Sequence, residues 1–363
     1  MKKILLIGPP PSTKGGVTIW IKIVLDYLRK NKNDNISVTH LAIKRSASLT
    51  HLLPTYKRLY YSIKDYTKGM FALINALQKG KYDKVHILSS LGAGIVRDWL
   101  YVKIANLFKT KPIVHYHCGT LPKQLSLKGW ENKLLLSTLK NSYKSIVLDE
   151  ESYNAVITIG LNNVTKIGNS FNKEIESFEN SNIKRNKNEI LFVGHNVREK
   201  GIFELIEALS TFENITLNIY GPQDEFIQAE LNEWIKKNGF KGNINFKGLR
   251  PSIEIFTAMR SAGLFILPTY TEGFPYVIVE AMASGCPIIA TPVGAIEEML
   301  TYEGKVQGIL VKPKDYTDLK DKITYSLNNC KVIEEMASKA KAKAYAEYST
   351  IAIMNKFINL WKE

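Results

Sequence analysis

Two glutamates, Glu272 and Glu280, stand eight positions apart across a Gly-Phe-Pro turn in the stretch TYTEGFPYVIVEAMASGCPIIATPVGAIEEML, Thr269 to Leu300. The run after the turn, Tyr276 to Ser284, reads as a helix stopped by Gly285. Pro275 suits the start of that helix, where an N–H would have no partner. The other first-turn N–H groups have no carbonyl behind them and favour an anion. Glu280 falls about one turn inside the helix, and Glu272 falls on the loop before it. A phosphate fits at the turn with a carboxylate on either side. Carboxylates accept hydrogen bonds from hydroxyls, so a phosphate flanked by two polyols suits the layout. A nucleotide sugar (ribose, diphosphate, hexose) has that shape. A solvated helix face is the plain alternative for a Glu pair. Val277-Ile278-Val279 is too apolar for such a face, and a carboxylate inside that run needs partners.

These residues need a frame. Lys2 to Gly8 is a short apolar run that reads as a buried parallel strand. A loop containing Lys14-Gly15-Gly16-Val17 and a helical pattern from Thr18 to Arg29 follow, which is how an open α/β sheet begins. Further strands are expected at Ser37–Ala42, Lys84–Leu88, Pro112–His117, Ser145–Leu148 and Lys166–Phe171, with helices between them. Asn172 to Asn188 is polar and aperiodic and reads as a linker. A second α/β series places strands at Glu189–Gly194, Thr216–Gly221, Ile244–Lys247, Leu264–Leu267 and Pro287–Ala290. Its helices are expected at Gly201–Leu209, Asp224–Asn238, Ser252–Arg260, Tyr276–Ser284 and Tyr316–Asn328, then from Val332 to the amphipathic segment Thr350–Lys362. Two such halves place a cleft between them, lined by the carboxyl ends of the strands.

Five other segments could line that cleft. Gly8 to Gly16, GPPPSTKGG, joins strand to helix, and its glycines let backbone approach a diphosphate; an ordinary turn is the alternative. It has neither the Walker nor the G-x-G-x-x-G spacing, so ATP and NAD are not indicated. Phe192 to Gly201, FVGHNVREKG, supplies cations where a leaving diphosphate gains charge. His115-Tyr116-His117-Cys118-Gly119 ends a strand, and its plain reading is two histidines satisfied by backbone. Zinc is not expected, because no further His or Cys lies at ligand spacing. Tyr220-Gly221-Pro222 and Gly248-Leu249-Arg250 are strand-end turns.

Taken together, EGFP…EAMASG…PIIAT…G and the segment ending in Lys200-Gly201 resemble the donor site of family 4 glycosyltransferases. The resemblance covers nearly the whole chain and is strongest over residues 189–300. It implies the GT-B fold, two Rossmann-like domains facing a cleft. Residues 1–171 would bind acceptor, 172–188 would link, 189–349 would bind nucleotide sugar, and helix 350–363 would cross back to the first domain. It implies that Glu272 holds hydroxyls of the transferred sugar and Glu280 those of the ribose. The Phe274-Pro275-Tyr276 turn would present backbone N–H groups to sugar and phosphate. Lys200 matches the family's lysine. The family's arginine would fall at 195, where this chain has His195; Arg198 is one substitute and an N–H of His195 the other. Gly15 and Gly16 would face the diphosphate, and His117 would reach the hexose and acceptor, with His115 second on the same strand face. Leu249 and Arg250 would hold the base. Family members retain anomeric configuration and need no bound metal or cofactor, and the diphosphate oxygen helps deprotonate the incoming hydroxyl. Two alternatives stay open: another GT-B enzyme such as a nucleotide-sugar epimerase or sugar phosphorylase, and a non-catalytic sugar-binding homologue, for which His195 is the supporting feature.

The chain has 363 residues, enough for two domains, with 45% hydrophobic and 23% charged residues. No apolar run reaches bilayer length, and the N-terminus reads as a strand rather than a signal peptide. Three cysteines, Cys118, Cys286 and Cys330, fit a reducing compartment, so the cytoplasm is expected. Net charge is +15, and residues 1–172 hold 26 Lys+Arg against 9 Asp+Glu, whereas residues 173–363 hold 23 against 25. A positive field confined to one half attracts anionic partners. Between Lys44 and Leu77 the segment from Tyr56 to Tyr66, YKRLYYSIKDY, mixes cations with tyrosines and suits an anionic bilayer surface. An amphipathic core helix with snorkelling lysines is the alternative. No RNA-binding motif accompanies it, so nucleic acid is not expected. The expected acceptor is a saccharide, carried on a polyprenyl diphosphate at the inner leaflet, in O-antigen, capsule or exopolysaccharide assembly.

Overall fold

In the computed structural model, which describes residues 1–13, 15–31, 35–44, 55–92, 94–178 and 184–363, the chain divides into two units. One comprises Met1–Asn169 with Ile353–Glu363, the other Ser170–Ala352. Lys14, residues 45–54 of the basic-aromatic stretch and residues 179–183 of the expected linker lie outside the described residues.

The first unit runs β1 (Lys2–Gly8), α1 (Gly16–Lys30), β2 (Ile36–Ala42), α2 (Thr55–Lys79), β3 (Lys84–Ser89), α3 (Gly94–Leu107), β4 (Lys111–Tyr116), α4 (Leu121–Ser126), α5 (Trp130–Asn141), β5 (Lys144–Val147), α6 (Glu150–Thr158) and β6 (Val164–Lys166). The strands form one parallel sheet ordered β2-β1-β3-β4-β5-β6. β1 from Ile4 onward and all of β3 are buried, which explains why these runs are apolar without alternation. Strand order reverses at β1, so the carboxyl ends of β1 and β3 flank the crevice where an open α/β sheet accepts ligand.

The second unit opens with a 3₁₀ turn (Lys173–Phe178), then β7 (Asn186–Val193), a 3₁₀ turn (Arg198–Lys200), α7 (Ile202–Leu209), β8 (Thr216–Tyr220), α8 (Glu225–Asn238), β9 (Asn243–Gly248), α9 (Ser252–Ser261) and β10 (Ala262–Leu267). It continues with α10 (Tyr276–Ala283), β11 (Ile288–Ala290), α11 (Ile296–Leu300), β12 (Thr301–Tyr302), β13 (Lys305–Val306), β14 (Ile309–Leu310), α12 (Tyr316–Asn328), α13 (Cys330–Tyr348) and α14 (Thr350–Lys362). Its parallel sheet is ordered β14-β11-β10-β7-β8-β9, and β12 pairs antiparallel with β13. Here the order reverses between β7 and β10.

Most of α14 belongs to the first unit, as the crossing-back helix requires. Its end is held by the buried Lys84 of β3, whose Nζ donates to the Leu360 carbonyl at 2.6 Å. A cation there meets the negative end of the helix dipole.

The structure corrects the strand expected over Lys166–Phe171. β6 is Val164–Lys166; the Ile167 N–H still donates to the Val147 carbonyl of β5 at 2.9 Å, and beyond it the backbone leaves the sheet. The Phe171 N–H donates to the Tyr348 carbonyl, and its carbonyl accepts from the Thr350 hydroxyl, so these groups serve the α13–α14 junction instead of a strand neighbour. The strand expected over Pro112–His117 ends at Tyr116, which leaves His117 just past the sheet. The polar segment 172–188 is partly built: Ile175 is buried within the first 3₁₀ turn, and β7 begins at Asn186.

Candidate active site

At the switch point of the second sheet, the chain leaving β7 turns back through Arg198–Lys200, and the chain leaving β10 runs through Thr269–Glu272. The two loops are fastened by backbone. The Tyr270 N–H donates to the Glu199 carbonyl at 2.8 Å, and the Thr269 hydroxyl lies 3.1 Å from the same oxygen. Thr291, just after β11, donates its hydroxyl to the Thr269 carbonyl at 2.5 Å. Gly201 has φ +71°, and a Cβ there would lie 2.0 Å from the Pro268 carbonyl oxygen, so only glycine allows this approach. Gly294, at φ +57°, likewise passes under the Glu272 backbone, where a Cβ would lie 2.4 Å from its carbonyl oxygen.

This frame brings Lys200 and Glu272 into an ion pair, with both side chains largely shielded from water. The sequence reading named both residues for the same ligand. Each neutralises the other.

Glu280 lies one turn inside α10 and is half-buried. No described side chain hydrogen-bonds its carboxyl group, and burial pushes its pKa up to about 8. Solvent loss disfavours the charged form and favours the protonated one. Tyr276, on the same helix face by its spacing of four, has a buried hydroxyl without a partner and a pKa raised by burial first and by Glu280 second. Phe274 is buried and meets Tyr348 edge-on at 5.6 Å between ring centroids. Pro275 is the N-cap of α10 and, being proline, donates no N–H; the turn's donors must come from Phe274 and the first residues of the helix.

The remaining candidates of this unit are distributed less tightly. The Arg198 guanidinium lies 4.1 Å from the Phe203 ring centroid and pairs with Glu230 of α8, so it is already engaged. His195 is exposed at the end of β7. Leu249 is exposed after β9, and Arg250 donates from Nε to the Lys247 carbonyl at 2.8 Å. The ends of β7, β8 and β9 are stitched together, Gly194 N–H to Tyr220 carbonyl and Gly221 N–H to Gly248 carbonyl, both at 2.9 Å.

The sequence reading missed several residues here. Thr269 and Thr291 are fully buried and set the loops, yet a lone threonine carries no signal in sequence. Tyr270 donates its hydroxyl to Glu204 of α7. Asn196 is buried with both ends of its amide unpartnered among the described residues. Its adjacency to Lys200 in FVGHNVREKG was the available hint.

In the first unit, Gly15 precedes α1 and Gly16 opens it, both exposed beside the end of β1. His117 is not a lone strand-end residue. Its ring lies 3.9 Å from that of His115, which lies 5.5 Å from that of His86. Trp20 of α1 touches all three rings, and Phe357 of α14 meets His86 and His115. Trp361 donates its indole N–H to His86 Nδ1 at 3.1 Å. Backbone does not satisfy this group, contrary to the plain reading: both nitrogens of His115 and the Nε2 atoms of His86 and His117 are buried without partners. Burial drives the pKa of His86 and of His117 down to about 3 and that of His115 well below its usual value. His86 was legible only as one titratable residue inside an apolar strand. Among the described residues, no three His, Cys, Asp or Glu side chains gather where they could hold a metal ion.

Comparison with known proteins gives the class. Residues 173–345 match the family model described as Glycosyl transferases group 1. A protein named as a teichuronic acid biosynthesis glycosyltransferase, TuaC of Bacillus subtilis, is 35% identical over 137 residues, 37% of this chain and 31% of TuaC. The glycosyltransferase MJ1178 of Methanocaldococcus jannaschii is 29% identical over 275 residues, 72% of each chain. The match thus spans less than a third of the length of TuaC and nearly three quarters of MJ1178. Among solved structures, Anabaena HepE in complex with UDP-glucose superposes with a TM-score of 0.70 at 17% identity, covering 99% of both chains. The switch-point loops and the glutamate helix thus lie within the matched segment, and the chain resembles the group 1 glycosyltransferases and has the GT-B fold.

Proposed function

We propose that this chain transfers a hexose or N-acetylhexosamine from a nucleoside-diphosphate sugar to a saccharide acceptor, with retention of configuration and without a metal or cofactor. One observation carries the reading. Lys200 and Glu272 are paired at the switch point, and Glu280 stands one turn inside α10 with no hydrogen-bond partner for its carboxyl group among the described residues. A donor would exchange these contacts. Lys200 leaves Glu272 for the diphosphate, Glu272 accepts from hydroxyls of the transferred sugar, and Glu280 accepts from the ribose and gives up its proton. Amide hydrogens at the start of α10 face the phosphate.

In the transfer, the bond from the anomeric carbon to the diphosphate oxygen breaks, and its electron pair stays on that oxygen. The acceptor oxygen bonds to the same face, and its proton passes to the departing diphosphate. Lys200, with Arg198 or His195, stabilises the charge that develops there. Arg198 would first have to leave Glu230. His117 is the first unit's candidate for contact with hexose and acceptor, as a neutral imidazole. The name of TuaC and the UDP-glucose held by HepE support a surface-polysaccharide pathway and a nucleotide-sugar donor. The basic first half supports a diphosphate-linked lipid saccharide as acceptor, at the cytoplasmic face of the membrane. No helix among the described residues is long and apolar enough to cross a bilayer.

Thermal-shift and hydrolysis screens against UDP-, GDP- and ADP-sugars test the reading. One donor should raise the melting temperature and be hydrolysed slowly, and nucleoside diphosphate release should accelerate when acceptor is added. No stabilisation by any donor would overturn it, and release indifferent to acceptor would favour an epimerase or phosphorylase. Replacing Lys200 with alanine should weaken nucleoside diphosphates by roughly tenfold or more, from loss of a charge-assisted contact. Nucleoside affinity should change little; equal losses in a calorimetric titration contradict a diphosphate role.

A further inference from the structure

The solvent face of α2 carries a row of large apolar side chains. Tyr56, Tyr60, Ile63 and Phe71 are 68%, 61%, 54% and 72% exposed, and their spacing of four, three and eight puts them on one stripe of the helix. Leu73 and Leu77, about a quarter-turn round the helix from the row, are sunk in the core of the first unit, and Ile74 packs against that core where the row ends. Lys57, Lys64 and Lys68 run alongside as a second row. Lys57 and Lys64 lie 6.0 and 5.9 Å from the ring centroids of Tyr56 and Tyr60. Asp65 is half-buried, off the exposed row.

A core helix with snorkelling lysines would turn its aromatics inward; this one turns three of its five out. Nor does a row meant only for solvent use three aromatics and an isoleucine. Tyrosine rings beside lysines match the headgroup depth of an anionic bilayer, where apolar rings sink and ammonium groups meet lipid phosphates. The excess charge of residues 1–172 supplies the same polarity at longer range.

We propose that this face of α2 is the docking surface of the first unit for an anionic lipid bilayer, the helix lying in the plane of the headgroups. The assignment rests on the proposed lipid-linked acceptor for its use, while its geometry is independent of it.

The test is flotation of the full chain with phosphatidylcholine vesicles, with and without phosphatidylglycerol. Binding should need the anionic lipid and fall as salt rises. A Tyr60→Ser, Phe71→Ser double variant should lose roughly tenfold or more in partitioning. A Lys57→Gln, Lys64→Gln, Lys68→Gln variant should lose about a hundredfold and most of its salt dependence. Both should keep the wild-type melting temperature and donor hydrolysis, measured without vesicles. Binding that ignores the anionic lipid, or that survives in both variants, overturns the proposal. So does a concentration-dependent dimer abolished by Tyr60→Ser and Phe71→Ser, which would make the row a contact between copies. Loss of donor hydrolysis in the wild-type chain would count against the proposed function and leave the docking result to be read separately.

Discussion

Replacing Glu272 with alanine should lower the rate of sugar transfer by about a thousandfold, the effect of removing a contact that strengthens in the transition state. Nucleoside diphosphate affinity should change much less. The reason lies in the pair at the switch point. Glu272 and Lys200 share one ion pair, and in the proposed reading a donor separates them. Lys200 would gain the diphosphate and Glu272 the hexose. Alanine at 272 removes the sugar contact but also frees Lys200 from its only described carboxylate partner, which favours diphosphate binding. The two effects oppose each other for the nucleotide and reinforce each other for turnover. Affinity measured by calorimetry beside steady-state transfer distinguishes them. Turnover within tenfold of wild type would end the assignment of Glu272, and so would a parallel collapse of nucleotide affinity.

The first unit should unfold in mild acid. His86, His115 and His117 form a neutral stack with Trp20, Phe357 and Trp361, and four of their ring nitrogens are buried without partners. Their folded pKa values are depressed, to about 3 for His86 and for His117, against about 6.5 in an unfolded chain. Between those limits the unfolded chain binds protons that the folded unit cannot. The stabilisation is complete above pH 6.5 and drains as pH falls toward 3. His86 and His117 each contribute a slope of up to about 1.4 kcal/mol per pH unit, so the two remove roughly 5 kcal/mol by pH 4.5, and His115 acts in the same direction. That is comparable to the whole stability of a domain. Denaturant titrations followed by tryptophan fluorescence, with Trp20 and Trp361 inside the cluster, should show the loss. His115→Leu should move the acid limb lower by removing one of the three groups. An unfolding free energy equal at pH 7 and pH 4.5 would contradict the neutral stack.

Much of the local structure of the candidate site was legible from residue types and spacing. The buried parallel strands announce themselves as unbroken apolar runs, and α10 with its Pro275 start and Glu280 follows from local pattern alone. Lys200 and Glu272 could be named for one ligand, but their pairing could not be read, because it depends on strands β7 and β10 becoming neighbours across a reversal of sheet order. Thr269 and Thr291 were invisible for the same reason: their hydroxyls act on backbone brought close only by that topology. Arg198 shows the converse, since its spacing suggested a free cation and its fold neighbours Phe203 and Glu230 occupy it. The histidine stack was half-seen. His115 and His117 share a strand end, while His86, Trp20 and Trp361 arrive from β3, α1 and the last helix. The segment beyond β6 misled because Ile167 and Phe171 are buried, as strand residues would be, while the Phe171 backbone bonds at the α13–α14 junction.

The central claim is that two carboxylates grip the two sugar rings of an activated donor while Lys200 holds its diphosphate. A crystal structure with the donor that emerges from the screen tests it most directly. The account predicts Glu272 within about 3 Å of a hydroxyl of the transferred sugar, Glu280 within about 3 Å of the ribose hydroxyls, and Lys200 moved from Glu272 to the diphosphate. A donor bound elsewhere, with the Lys200–Glu272 pair intact and Glu280 still without a partner, would contradict it.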